Sequence, residues 1–229
     1  MRQLSDDEIR EDILEVARAM YQKGMVSAYE GNISYKAGDK IYITPSQVCK
    51  GYLKKEMLIV TDMSGNIISA DDRYKPSSEI KMHIECYRLR RDINAVVHTH
   101  APYATAYALA NKPIMSKAYP EMIIIFGKIP LAKYGRPSTD DICTDLKNIV
   151  DDGCDVFLIA NHGIVSMGCD VYEAFFRNEA AENIAKTLLL AEQIGGEKKL
   201  SDDELAALYI MRKEYLEKKN KSTSGKQSK

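Results

Sequence analysis

Three of the four histidines in this 229-residue chain lie in two short segments, each at the end of an apolar run. His98 and His100 close the segment 93–100, which has the apolar character of a strand. Side chains two residues apart on a strand point to the same face, so these two imidazoles project together. His162 follows a second apolar run, 156–160, in a tight Asn-His-Gly turn. This pattern predicts a metal site, and three imidazoles with an open fourth position favour a catalytic zinc over a closed structural one.

The composition indicates one catalytic domain without a nucleic-acid or membrane partner. A chain that is 45% hydrophobic and 28% charged can build one substantial core at this length. A formal net charge of −1 does not attract nucleic acid or an anionic membrane, and no apolar run approaches the ~18 residues of a membrane span. Five cysteines without C-x-x-C spacing and a start without a signal peptide indicate a cytoplasmic protein. We expect a single domain over residues 1–219 and a disordered polar tail over 220–229.

Hydrophobic periodicity and turn residues predict alternating helices and strands. A capping box begins a helix at Ser5, and Gly-containing turns at 37–39 and 62–65 predict two hairpins. The other predicted elements are helices over 78–90, 102–110, 139–150 and 171–194 and from 201, and strands over 93–98, 122–126, 156–160 and 164–166. Mixed strands with helices at both ends predict an α/β fold in which neighbouring strands are often antiparallel.

A second group of residues has the chemistry of a phosphate site. Ser77 and Ser78 begin a predicted helix, where unpaired backbone amides attract an anion. Glu79, in the same first turn, is favoured by the helix dipole when it is ionised. Taken alone, this segment is better explained as a simple helix cap. Two further turns at 31–34 and 44–47 offer similar amides and hydroxyls, however, and the three together favour a phosphate site.

Five motifs, in this order and at these separations, resemble the class II aldolase/adducin family. They are Gly-Asn-x-Ser at 31–34, Thr-Pro-Ser at 44–46, Pro-Ser-Ser-Glu at 76–79, Val-Val-His-x-His at 96–100 and Asn-His-Gly at 161–163. The resemblance covers about residues 8–217 and is strongest to the family's sugar-phosphate aldolases that cleave L-fuculose 1-phosphate. It implies a three-layer α/β/α sandwich around a mostly antiparallel central sheet. It also implies zinc-dependent cleavage of a ketose 1-phosphate to dihydroxyacetone phosphate and an aldehyde, by a homotetramer with shared active sites.

The resemblance assigns roles to individual residues. It implies that His98, His100 and His162 bind zinc, and that Glu79 binds zinc at rest and acts as acid/base once substrate displaces it. It implies that Tyr119 reaches into a neighbouring subunit's site and handles the aldehyde oxygen, although a buried structural tyrosine is the simpler interpretation of this residue alone. The residues implied to hold the phosphate, with Gly31 shaping the first loop, are Gly31, Asn32, Ser46, Gln47, Ser77 and Ser78.

The sequence departs from the family pattern at Gln47, beside Tyr119 and over residues 133–139. Gln47 stands where the family usually has glycine, so we expect a different backbone in that phosphate loop. Glu121 adds a carboxylate beside Tyr119, either as a second acid/base, as in the family's dehydratases, or as a surface group. His83 lies one helical turn after Glu79, and we interpret it as an ordinary helix-face histidine rather than a fifth metal ligand.

Other reactions on the same scaffold stay open to different degrees. A methylthioribulose-1-phosphate dehydratase is compatible with Glu121. A ribulose-5-phosphate 4-epimerase is disfavoured, because such enzymes tend to carry Asp in place of Glu79 and use a late histidine, and none follows His162 here. A non-enzymatic adducin-like interaction protein is disfavoured by the complete set of histidines with Glu79. No lysine stands out in an apolar surrounding, so a Schiff-base mechanism is not indicated, and imidazole ligands do not separate zinc from manganese or cobalt.

Overall fold

A computed structural model describes residues 4–150 and 154–227, and it contains one eight-stranded sheet with helices on both faces. The strands are β1 Asn32–Ala37, β2 Lys40–Ile43, β3 Ile59–Asp62, β4 Ile67–Ser69, β5 Ala95–Thr99, β6 Leu131–Ala132, β7 Val156–Ile159 and β8 Gly163–Gly168. The α-helices are α1 Asp6–Gln22, α2 Ile80–Leu89, α3 Pro102–Leu109, α4 Leu146–Val150, α5 Val171–Gln193 and α6 Asp202–Gln227. Short 3₁₀ turns lie at Lys50–Tyr52, Lys55–Met57 and Asp140–Cys143, and a π-helix at Met122–Phe126.

The sheet confirms the predicted fold class. Its strand order is β4-β3-β2-β1-β5-β8-β7-β6, and every pairing is antiparallel except that of β6 with β7. The central strand β5 is buried along its whole length, since alternate side chains enter two different cores. Ala95 and Val97 join the core under α1, α3 and α5, whereas Val96 joins the core under α2 and α4. The protein is therefore a three-layer α/β/α sandwich around a mostly antiparallel sheet.

Local sequence signals explain where several elements begin and end. Ser5 and Glu8 form the predicted reciprocal capping box of α1, and Asp170 caps the long helix α5 by accepting a bond of 2.8 Å from the Glu173 amide. Both predicted hairpins are present, as the antiparallel pairs β1–β2 and β3–β4. These elements were predictable because their caps and turns are encoded within a few residues.

The predicted strand over 122–126 is wrong, because this segment is a π-helix. Pro120 precedes the segment, and Gly127 ends it with φ +67° and a 2.8 Å bond from its amide to the carbonyl of Met122. Arg212 of α6 donates to the carbonyl of Ile124 at 3.1 Å, so the segment is covered by a helix and not paired in the sheet. An apolar run of five residues does not distinguish strand from helix, and here the flanking proline and glycine were the better signals.

The helix predicted over 139–150 is interrupted. Residues Asp140–Cys143 form a 3₁₀ turn, and α4 begins only at Leu146. Asp145, which lies between the two, accepts a 3.0 Å bond from the backbone amide of Lys133, just after β6. A tertiary contact to the sheet edge thus takes the place of a continuous helix.

The C-terminal helix α6 runs past residue 219 to Gln227. The predicted division at residue 219, between a catalytic domain and a polar tail, stays a prediction. Residues 228 and 229 of that tail lie outside the described residues. Across 4–150 and 154–227, no helix has both the length and the apolar character that crossing a membrane requires.

Candidate metal centre and active site

The centre of the site is a cluster of three imidazole rings. His98 lies near the end of β5, His100 just after it, and His162 in the turn between β7 and β8. The ring centroids are 5.0, 4.9 and 5.0 Å apart with interplanar angles of 72°, 75° and 78°, so the rings have nearly threefold geometry. One ligand nitrogen from each ring lies within 4.8 Å of the others. The two histidine segments meet because β5 and β8 are paired neighbours in the sheet, with His98 opposite Val165.

The backbone around the cluster leaves just enough room for the rings. A Cβ atom on Gly163 would lie 2.5 Å from the carbonyl oxygen of Thr99 and about 3 Å from the rings of His100 and His98. Asn161 adopts the left-handed region with φ +58°, which asparagine tolerates better than most residues. The Asn-His-Gly motif is therefore set by the close approach of the turn to the two other histidines.

Burial and hydrogen bonding keep His98 ready to bind a cation. Its Nδ1 lies 2.9 Å from the carbonyl oxygen of Ile164, which accepts the Nδ1 proton and leaves the Nε2 lone pair free. Burial lowers the pKa of His98 to about 3 and also lowers the pKa of His100. Neutral imidazole is the form that binds metals, so both rings are in the required state near neutral pH.

Glu79 completes the donor set from the N-cap position directly before α2. One carboxylate oxygen lies 3.0 Å from His162 Nε2 and the other 3.2 Å from His98 Nε2, and the side chain is only 8% exposed. Burial raises the pKa of Glu79 and a hydrogen bond from Asn32 lowers it, and a positive charge at the histidines lowers it further, to well below its usual range.

The donor atoms fit a divalent cation. Glu79 Oε1 is buried and has no hydrogen-bond partner among the described residues, since its approach to His162 lacks hydrogen-bond geometry. The Nε2 atoms of His98 and His100 lie 3.1 Å apart, and the lone pair of the former also faces a carboxylate oxygen. Lone pairs that converge in this way repel one another unless a positive charge lies between them. Three nitrogens and one oxygen are a common tetrahedral zinc set.

A buried network behind Glu79 fixes its orientation. Asn32 donates to Glu79 Oε2 at 2.8 Å and accepts from His83 Nε2 at 2.5 Å. The other ring nitrogen of His83 accepts from the Ser34 hydroxyl at 2.7 Å, and that hydroxyl in turn lies 2.7 Å from the Tyr87 phenol. His83 is thus not a metal ligand, and it is not the ordinary helix-face histidine of the sequence interpretation either. Its position one turn after Glu79 was the available signal.

The three predicted phosphate loops come together next to the histidines. The loop after β2 and the loop before α2 are joined by a bridge between Pro45 and Pro76 and by a 3.2 Å bond from the Ser77 amide to the Thr44 carbonyl. Together with the start of β1 they enclose a pocket of about 180 Å³. Its walls are formed by Tyr29, Glu30, Gly31, Asn32, Pro45, Ser46, Gln47, Lys50, Ser77, Ser78, Glu79, His100 and His162. All six residues implied to hold the phosphate therefore lie in one pocket with the metal donors, and His98 is buried behind it.

The loop that contains Gln47 keeps a backbone suited to glycine, in contrast to our expectation that it would differ. Gln47 has φ +56°, a left-handed conformation that glycine adopts without strain and that costs other residues roughly 1–2 kcal/mol. Gly31 is more tightly constrained, because it combines φ +70° with a position where a Cβ would lie 2.4 Å from Val26 and 3.0 Å from the carbonyl oxygen of His98.

Two pocket residues were missed by the sequence reasoning. Lys50 is 1% exposed, donates from Nζ to the carbonyl of Val48 at 2.6 Å, and has a pKa that burial lowers to about 8. The statement that no lysine stands out is therefore wrong; the available signal was its place three residues after Gln47. Glu30 lies 3.7 Å from His100 Nδ1, and the available signal was its place directly before the Gly-Asn motif.

Tyr119 and Glu121 lie outside this pocket. Tyr119 is half-buried and packs against the core under α1, α3 and α5. Glu121 is exposed immediately before the π-helix. The predicted role of Tyr119 in a neighbouring subunit stays a prediction.

Comparisons with known proteins show which family this chain is similar to. The pattern of the family described as Class II Aldolase and Adducin N-terminal domain matches residues 11–189. An L-fuculose phosphate aldolase of Methanococcus maripaludis is 33% identical over 175 residues, which cover 76% of this chain and 93% of that protein. A 3-oxo-tetronate 4-phosphate decarboxylase of Haemophilus influenzae is 32% identical over 182 residues, covering 77% and 85%. A solved structure of an L-fuculose 1-phosphate aldolase superposes with a TM-score of 0.81 at 25% identity, covering 93% of this chain and all of that one. The chain belongs to the class II aldolase and adducin family.

Proposed function

We propose that this protein is a zinc-dependent aldolase that cleaves a ketose 1-phosphate, L-fuculose 1-phosphate or a close analogue, to dihydroxyacetone phosphate and an aldehyde. One observation carries the proposal: the phosphate loops line the same pocket of about 180 Å³ as Glu79, His100 and His162, and the third imidazole of the cluster, His98, is buried behind it. A pocket of this size suits a small phosphorylated sugar whose reacting carbons lie a few bonds from the phosphate. The aldolase names of the relatives support the same substrate class.

Different residues of the pocket bind the ion, transfer the proton and bind the phosphate. His98, His100 and His162 hold the ion, which when bound supplies Lewis-acid stabilisation of the charge that develops at the C2 oxygen. Glu79 is ionised and is oriented by Asn32 at 2.8 Å, so it is suited to move the proton at C3 of the dihydroxyacetone phosphate half. The phosphate loops anchor a group that does not react, and its binding energy positions the carbons that do.

The aldehyde half is assigned to Tyr119 of a neighbouring subunit. Tyr119 does not line the histidine pocket of its own chain, which is compatible with a site shared between the subunits of a homotetramer. We propose this assembly, and we also propose a cytoplasmic location. Mixed tetramers of Glu79→Gln and Tyr119→Phe chains test this assignment. Recovery of cleavage in the mixture is expected, and no recovery despite proven subunit exchange would rule out the shared site.

A second candidate reaction is decarboxylation of a 3-oxo-tetronate 4-phosphate, because relatives with that name match at 32% identity. It would use the same phosphate loops. The Glu30 carboxylate, 3.7 Å from His100, adds negative charge at the histidines, which would disfavour binding of a substrate carboxylate there. The dehydratase alternative stays a prediction, because Glu121 does not line the pocket of its own chain, and neither does Tyr119, two residues away.

A substrate panel tests the proposal. Zinc-loaded protein is incubated with the 1-phosphates of L-fuculose, L-rhamnulose and L-ribulose and with 3-oxo-tetronate 4-phosphate. Dihydroxyacetone phosphate and carbon dioxide are measured as separate products. We expect dihydroxyacetone phosphate from at least one ketose. Loss of carbon dioxide from 3-oxo-tetronate 4-phosphate also leaves dihydroxyacetone phosphate, so each substrate is assayed alone. Carbon dioxide from that substrate, with no dihydroxyacetone phosphate from any ketose, would assign the decarboxylase instead.

A further inference from the structure

Lys50 is a buried cation that the proposed reaction does not yet use. Its side chain is among the largest fully buried ones, and its Nζ has a single described bond, to the Val48 carbonyl at 2.6 Å. Among the residues that the structure describes, no carboxylate lies within ion-pair distance of this ammonium, and the titratable group acting on it is the Cys49 thiol. Burying a charge costs free energy unless an opposite charge compensates it, so such a lysine calls for an anion.

The charges of the pocket indicate where that anion binds. Two carboxylates, Glu30 and Glu79, line the pocket, and Lys50 is the one lysine or arginine among its described wall residues. A phosphoryl group brings a further charge of about −1.5 to −2. The hydroxyls of Ser77 and Ser78 donate hydrogen bonds but carry no positive charge. Without Lys50, the described walls of the pocket would have no lysine or arginine side chain to balance the phosphate.

We propose that the Lys50 ammonium is the counter-charge of the substrate's phosphoryl group and selects phosphorylated over uncharged ketoses. This inference rests on the proposed function and adds a residue outside the motifs that suggested the phosphate site. The Val48 carbonyl accepts one of the three N–H bonds of Nζ and so orients the ammonium, which leaves two donors for phosphate oxygens. The same contact holds the lysine in place when no anion is bound.

The test compares Lys50→Met with Lys54→Met, an exposed lysine four residues further along the same segment. Inorganic phosphate and dihydroxyacetone phosphate are titrated calorimetrically into zinc-loaded protein, with uncharged dihydroxyacetone as a third probe. Lys50→Met is expected to weaken binding of both phosphates by roughly 10- to 100-fold, because a charge-assisted hydrogen bond is lost. Binding of dihydroxyacetone, the zinc content and the behaviour of Lys54→Met should remain those of the unmodified protein.

Specific outcomes would overturn the inference. Unchanged phosphate affinity in Lys50→Met does so directly. Borohydride trapping of dihydroxyacetone phosphate on Lys50 would also do so, since it would make the lysine an imine-forming nucleophile. If Lys50→Met does not fold, Lys50→Gln keeps a donor for Val48 without the charge and is judged by the same affinities.

Failure of the proposed function is distinguishable from failure of this inference. If the unmodified protein cleaves no ketose phosphate, the calorimetry still reports whether Lys50 binds the phosphate. If cleavage is normal and the phosphate affinity does not depend on Lys50, the inference about Lys50 fails alone.

Discussion

The pocket has two ends that are built in different ways. The histidine end is formed by Glu79, His100 and His162, and the phosphate end by Ser46, Gln47, Ser77 and Ser78. The histidine end stands on paired strands, and His98 and Glu79 are buried there with bonds of 2.9 and 2.8 Å that fix their orientation. The phosphate end stands on loops, where Gln47 and Ser78 are exposed and one buried lysine supplies the charge. Metal binding requires ligand positions within a few tenths of an ångström, whereas an anion accepts several arrangements of amides and hydroxyls. We therefore expect substitutions at the histidine end to have the larger effects.

The largest effect is expected for His100→Ala. It removes one of three imidazoles, so both the bound metal and the cleavage activity should be lost. The strand β5 ends at Thr99 and His100 is partly exposed, so the fold should survive. Elemental analysis, activity and circular dichroism measure the three effects. A folded, metal-free variant with full activity would show that the metal is not required.

Next in size is Glu79→Gln, which separates metal binding from proton transfer. The three histidines should retain most of the metal, while loss of a general base lowers the rate by roughly 10²–10⁴-fold. Exchange of the C3 proton of dihydroxyacetone phosphate with solvent reports this step without any aldehyde. Normal exchange in the variant would mean that another group is the base.

The network behind Glu79 predicts a pH dependence of stability. Burial lowers the pKa of His83 to about 4, whereas an unfolded histidine has a pKa near 6.5. Between these values the unfolded chain binds more protons, so the free energy of unfolding falls as the pH drops from about 6.5 to about 4. The loss is on the order of 3 kcal/mol for this one group.

The corresponding measurement is urea unfolding of metal-free protein across this pH range, beside His83→Gln. The variant should start less stable at pH 7 and lose less stability on acidification. Because His98 titrates in both proteins, the difference between the two curves isolates His83. Parallel curves would contradict the assignment.

The smallest effects are expected in the loops, and they distinguish two residues with positive φ. Gly31→Ala should lower the free energy of unfolding by roughly 2 kcal/mol or more, since the new methyl group meets Val26 and the His98 carbonyl. Gln47→Gly should change it by no more than about 1 kcal/mol, because relief of backbone strain offsets the greater freedom of the unfolded chain. Chemical denaturation measures both. Equal changes in the free energy of unfolding would show that the steric contacts at Gly31 add nothing beyond its positive φ.

The contrast between residues on strands and residues in loops also explains how far the site could be predicted from the sequence. The histidines lie at the ends of apolar segments, so the sequence predicted that His98 and His100 project together and that His162 joins them in a metal site. The π-helix at Met122–Phe126 could not be placed in this way, because five apolar residues carry no usable period. The network around Asn32 was also invisible, since its partners Glu79 and His83 lie 47 and 51 residues away.

By itself, the sequence determined the α/β class, the caps, the hairpins and the residue types of the metal and phosphate segments. Each of these follows from a periodicity or a short motif within one stretch of chain. Only the tertiary structure decided that Lys50 is buried with no carboxylate of the described residues in ion-pair distance, that His83 orients Asn32, and that Gln47 adopts a glycine-like conformation. Burial and hydrogen bonding depend on which distant segments pack together. That information arises only when the strands pair and the helices cover both faces of the sheet.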